Sequence, residues 1–105
     1  MAVLINGDTY SAAEFFAAAL SEYDWAITVG EPTCGKGYYQ ITWELGDGSA
    51  VQLSSGAYTT PNGVNLTEAG GLQPDVPVEL TERVAAVEED PQILAAVTAL
   101  LQESK

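Results

Sequence analysis

The stretch AVLINGDTYSAAEFFAAALSEYDWAITVG, residues 2–30, decides the fold. Its opening run, Ala2-Val3-Leu4-Ile5, is short, continuous and apolar, which suits a buried β-strand. Asn6-Gly7-Asp8-Thr9 stops that run with turn-forming residues. From Ser11 to about Tyr23 the chain becomes alanine-rich, and Ser11 and Glu14 have the Ser-x-x-Glu spacing of a capping box. A helix that is apolar on most sides is expected here, buried between layers. Ala26-Ile27-Thr28-Val29 reads as a second buried strand closed by Gly30. Strand, helix and strand in this order make a βαβ unit with a right-handed crossover, so the fold class is α/β.

Working outward, Glu31-Pro32-Thr33-Cys34-Gly35-Lys36-Gly37 is a loop. Tyr38–Leu45 and Ala50–Tyr58 alternate like half-buried strands, and Gly46-Asp47-Gly48 between them predicts a β-hairpin. The segment from Glu68 to Pro77 is irregular, because Pro74 and Pro77 oppose a central strand or a helix. Asp90-Pro91 opens a C-terminal helix whose apolar face is Ile93, Leu94, Val97, Leu100 and Leu101.

Composition narrows the chemistry. The 105 residues set one domain, and 47% apolar with 17% charged residues is a globular balance. A net charge of −12 opposes attraction to phosphate, so no nucleic-acid or anionic-membrane partner is expected. With no histidine, a Ser-His-Asp triad and a histidine zinc site are both excluded within the chain. One cysteine, Cys34, cannot form an internal disulfide or a metal cluster, and no metal or cofactor is expected. No run approaches the roughly 20 apolar residues of a membrane span, and no signal peptide is visible.

Three residues can carry chemistry. Ser11 sits at a strand-to-helix junction, where helix N–H groups can stabilise a developing negative charge; its plainer role is an N-cap. Lys36, between two glycines, suits an amine inserted at a fixed place, which desolvation would turn into a base. Its plainer role is an exposed ion-pair partner. A phosphate loop is rejected, because Gly37-Tyr38 and a strand follow Lys36 where Ser or Thr and a helix are required. Gln40, four residues on, would share a strand face with Lys36 and orient the amine; otherwise it is an ordinary polar strand residue.

Taken together, Val3-Leu4-Ile5-Asn6 with Ser11-Ala12-Ala13-Glu14 resembles the nucleophile segment of the carboxyl-terminal processing peptidases, or tail-specific proteases. Val29 to Gly37 is similar to their lysine segment. The resemblance runs on through Gly46-Asp47-Gly48-Ser49, Tyr58 to Gly63 and Gly71-Leu72-Gln73-Pro74-Asp75, covering roughly residues 3–80. It implies a serine endopeptidase acting on unstructured or C-terminally tagged polypeptides. Ser11 would be the nucleophile, Lys36 the general base, Gln40 the support of the lysine, and the Ala12 backbone N–H an oxyanion donor. It also implies a Clp protease/crotonase-like spiral of βαβ units, here partial, with the β-hairpin and the C-terminal helix.

Residues 1–105 then correspond to the C-terminal portion of the catalytic domain, without the PDZ domain or the upstream part that supplies a second oxyanion donor. Such a portion is expected to be inactive or nearly so by itself. Its exposed apolar faces imply self-association. The family's habit implies an extracytoplasmic location, in the cell envelope or secreted. Cys34, Thr9 and Tyr10 depart from the family's usual residues, and Tyr10 would narrow the site. Two rival readings use the same scaffold: a non-catalytic interaction domain, and an acyl-CoA enzyme of the crotonase group, whose motifs are not these.

Overall fold

The computed structural model describes residues 1–80 and 86–103. Strands β1 (Ala2–Ile5) and β2 (Ile27–Gly30) run parallel, in register from Ala2↔Ile27 to Ile5↔Gly30, with helix α1 (Ala12–Glu22) as the crossover. The βαβ unit expected from residues 2–30 is therefore formed. Gly30 has φ +131°, and a Cβ there would lie 2.2 Å from the Ile5 carbonyl oxygen, so glycine lets the two strand ends close.

Strands β3 (Tyr38–Glu44) and β4 (Ala50–Ala57) form the expected antiparallel hairpin, with a register shift between Tyr39 and Gln40. A third parallel strand, β5 (Val76–Pro77), completes the first sheet in the order β1-β2-β5. It lies in the segment expected to be irregular. Pro77 is tolerated because β5 is two residues long and at the sheet edge. Asp75 fixes its approach, since Oδ2 accepts from Thr28 N at 3.0 Å and Asp75 N donates to Thr28 Oγ1 at 2.9 Å.

Helix α2 (Pro91–Glu103) begins at the proline, as expected. Asp90 caps it, its Oδ1 accepting from Gln92 N at 2.8 Å and Ile93 N at 3.2 Å. Its packing corrects the sequence reading. The face turned to β1 and β2 buries Gln92 and Ala96, while Leu94, Val97, Leu100 and Leu101 are exposed. Periodicity finds an apolar stripe, but cannot say which stripe the sheet receives. Short Ala96 lets the helix approach closely, and Gln92 is satisfied by giving Nε2–H to Val78 O at 2.9 Å.

The same correction holds for two other elements. Helix α1 buries Glu14, Ala17 and Ala18 but leaves Phe16 67% exposed, so it is covered on one side only. In β1 only Ile5 is buried, because α1 packs on β2 more than on β1. The chain exposes 7,015 Å² in all, against about 5,600 Å² for a compact monomer of this mass. Its radius of gyration of 17.1 Å exceeds the roughly 13 Å expected of 100 compact residues. The hairpin accounts for much of the excess, since every residue of β3 and β4 except Gly56 is exposed.

Candidate active site

Ser11 stands at the N-cap of α1 with φ 57° and ψ −124°, a left-handed conformation that costs a non-glycine residue about 1–3 kcal/mol. Such strain persists only where surrounding bonds over-determine it, and they do. Glu14 Oε2 accepts from Ser11 N at 2.8 Å, the carboxylate half of the expected capping box. The Glu14 N–H is given to the Ser11 carbonyl oxygen at 3.0 Å, so its hold on the hydroxyl is at most a shared one. Ala12, the first residue of the helix, has an N–H with no intrahelical acceptor. Ser11, Ala12, Phe15 and Tyr58 line a cavity of about 220 Å³. Its wall is aromatic, with Phe15 and Tyr58 ring centroids 5.1 Å apart and Tyr39 5.2 Å from Tyr58.

The loop that carries Lys36 is laced to the Ser11 loop. Cys34 N donates to Thr9 O at 2.9 Å. The Glu14 carboxylate accepts from four donors: Ser11 N, Lys36 N at 2.9 Å, Gly35 N at 2.6 Å and Thr33 Oγ1 at 2.6 Å. One oxygen, Oε2, thus serves the backbone nitrogens of both Ser11 and Lys36. From the other side, Thr33 N donates to Leu72 O at 3.1 Å, and Leu72 N donates to Thr33 Oγ1 at 2.7 Å. Gly71 is needed there: at φ +98°, a Cβ would lie 2.2 Å from the Thr33 carbonyl oxygen.

The side chains are less closely gathered than the backbones. Lys36 is exposed rather than shielded from water, and its ammonium lies 5.7 Å from the centroid of the Tyr10 ring. Lys36 also precedes β3, so the face-sharing expected with Gln40 does not apply. Gln40 is exposed on the hairpin, its Nε2 donating to Tyr38 O at 3.3 Å and more distantly to Ser54 Oγ at 3.5 Å. Ser11 and Lys36 are therefore joined through their backbones, and Gln40 is turned to its own hairpin. A larger cleft of about 430 Å³ opens at the carboxyl ends of β1, β2 and β5, walled by Gly7, Pro32, Val78 and two glutamates, and it includes none of these three residues. Among the described residues no His, Cys, Asp or Glu group of three or more could hold a metal ion.

Sequence reasoning saw Glu14 only as half of a cap. Its place three and four residues before Ala17 and Ala18 sets it on the buried side of α1, which was the available signal. Thr33 carried no such signal, because its partners are 19 and 39 residues away.

Comparison with known proteins gives a consistent result. The model for "Peptidase family S41" matches residues 1–78. Carboxyl-terminal-processing peptidase 1, chloroplastic, of Arabidopsis thaliana is 45% identical over 73 residues, 70% of this chain and 15% of that protein. The carboxyl-terminal-processing protease of Synechocystis is 39% identical over 79 residues, 75% of this chain and 18% of that protein. Among solved structures, the photosystem II D1 C-terminal processing protease superposes with a TM-score of 0.73 at 37% identity, over 83% of this chain and 22% of that one. The chain thus spans less than a fifth of the length of these two curated relatives.

Proposed function

This chain belongs to Peptidase family S41, and from that membership we propose that it is the C-terminal portion of the catalytic domain of a Ser-Lys endopeptidase. The PDZ domain and the upstream part of the catalytic domain lie outside it, and its βαβ unit is one part of a Clp protease/crotonase-like spiral. The observation that carries the reading is the lacing of two loops. A strained serine at a helix N-terminus and a glycine-flanked lysine share one buried carboxylate through their backbone nitrogens.

In the reaction, Lys36 takes the proton from Ser11 Oγ as that oxygen attacks a peptide carbonyl carbon. The carbonyl oxygen gains the negative charge, which the Ala12 N–H stabilises by a hydrogen bond. As the C–N bond breaks, the Lys36 ammonium protonates the leaving amine. Water then attacks the acyl-Ser11 ester, giving a proton back through Lys36 and releasing the carboxylic acid. Gln40 supports the amine once Lys36 has left Tyr10, so substrate or the upstream part of the domain must draw Lys36 inward. The aromatic cavity beside Ser11 takes an apolar side chain of the substrate next to the scissile bond.

The substrates are unstructured or C-terminally tagged polypeptides, and the location is extracytoplasmic. Among the described residues no helix is long and apolar enough to cross a membrane. The chain alone is inactive or nearly so, and it self-associates through its exposed apolar surface.

The test is peptide hydrolysis by the longer protein with Ser11→Ala and Lys36→Ala, with folding checked by circular dichroism. Each should lower kcat by about a thousandfold or more. Unchanged hydrolysis in folded Lys36→Ala would leave the non-catalytic interaction domain as the better reading.

A further inference from the structure

We propose that Glu14 is a positioning residue: a buried carboxylate clamp that fixes the spacing between the nucleophile loop and the lysine loop, one oxygen to each pair of donors. The proposal rests on the Ser-Lys reading above and deepens it.

Glu14 is fully buried and meets four donors: three backbone N–H groups and the Thr33 hydroxyl. Such a site is complementary to an ionised carboxylate, the one side-chain form that only accepts and does so on two oxygens. Glutamine would present one oxygen and one NH2, and the NH2 would face donors on whichever side it took. The division of labour is therefore informative. Oε1 binds Thr33 Oγ1 and Gly35 N, holding the lysine loop in shape; Oε2 binds Ser11 N and Lys36 N, holding that loop to the serine.

An ordinary capping glutamate satisfies one N–H and stops. This one reaches 21 and 22 residues along the chain to Gly35 and Lys36. It also restrains Ser11 in its left-handed conformation, because the Ser11 N–H must point at Oε2. The side chain of Lys36 is exposed beside Tyr10, whereas the backbone from which it extends is bonded to Glu14. Glu14 thus sets the pivot from which the amine reaches Ser11 Oγ, without touching substrate itself. A small displacement of that pivot is costly, since a misplacement of about 1 Å can lower a rate a hundredfold.

The first test uses this chain. Nitrogen–carbon couplings across hydrogen bonds, measured by NMR, should connect Glu14 Cδ to the amides of Ser11, Gly35 and Lys36. In Glu14→Gln, amide-exchange protection should fall at least tenfold for one of the pairs served by Oε1 or Oε2, beyond any change at Val29 in the sheet. Absence of the couplings in the wild-type chain, or unchanged protection at Ser11, Gly35 and Lys36 in the variant, overturns the clamp.

The second test uses the longer peptidase. Glu14→Gln should lower kcat at least a hundredfold with KM within about threefold, and Glu14→Asp should recover part of the loss. Val29→Ala and Ile5→Ala, which thin the sheet core without touching the clamp, should destabilise the protein yet keep kcat within about tenfold. If loss of kcat follows loss of stability across all four variants, the role is structural and the positioning proposal fails. If Lys36→Ala retains full kcat, the Ser-Lys reading fails instead and takes the catalytic role of the clamp with it. The couplings in this chain would then report a structural clamp only.

Discussion

The loops around Ser11 and Lys36 and the hairpin β3–β4 obey opposite rules. In the loops, the backbone N–H groups of Ser11, Cys34, Gly35, Lys36 and Gly37 each have an acceptor, drawn from Glu14, Thr9 and Thr67. In the hairpin, Ile41, Trp43, Val51 and Leu53 lie on one face and are 40–57% exposed, while Gln40, Thr42, Gln52 and Ser54 occupy the other. The first region is complete by itself. The second has an amphipathic pattern, and among the described residues no layer covers its apolar side. The contrast teaches that polar lacing is satisfied within this chain, whereas the hydrophobic pattern anticipates a surface that the described residues do not provide.

The sharpest way to break this comparison is to remove the clamp. Glu14→Ala leaves four donors without their acceptor and should cost about 3–5 kcal/mol of stability. Trp43→Ser on the hairpin should change stability by no more than about 0.5 kcal/mol. Urea unfolding followed by circular dichroism compares the two, and similar costs would mean that the regions do not differ in kind.

A smaller effect is expected at Thr33, which is buried and links Glu14 to Leu72 through its hydroxyl. Thr33→Val removes both hydrogen bonds at nearly constant volume and should cost about 1–3 kcal/mol in the same assay. Trp43→Ser combined with Leu53→Ser should weaken self-association of this chain by about tenfold or more, roughly 1.4 kcal/mol, in analytical ultracentrifugation. A wild-type chain that sediments as a monomer at micromolar concentration would contradict the expected self-association.

These effects also mark what could be read from sequence. The elements were legible because each rests on a local signal: Asp90-Pro91 for α2, Gly46-Asp47-Gly48 for the hairpin, Ser11 to Glu14 for α1. Burial was not, because it depends on what lies opposite. The stripe Leu94, Val97, Leu100 and Leu101 is periodic whether or not a partner covers it. β5 was missed because two residues paired to β2 leave no pattern of their own. At the site, Ser11 and Lys36 were singled out from their neighbours in sequence. The Glu14 contacts to Gly35 and Lys36 are long-range, and so invisible to spacing arguments.

The smallest effect belongs to the hairpin tip. Asp47 is held below the usual carboxylate range, first by the Ser49 hydroxyl and then by the Ser49 N–H at 3.0 Å. A group lowered on folding adds stability above its unfolded pKa and loses it as pH falls through the folded one. The turn should therefore be fully formed at pH 5 and loosen only below the ordinary value of 3.8, leaving the Ser11 and Lys36 amides unchanged. Titration of the Asp47 side-chain carbon by NMR checks the direction.

The most direct test of the central claim is the site of covalent modification by a serine-directed fluorophosphonate in the proposed longer protein, located by peptide mass spectrometry. Modification at Ser11 alone, lost in folded Lys36→Ala, is the predicted result. Modification of another serine, or the same rate at Ser11 without the Lys36 amine, would contradict the assignment of nucleophile and base.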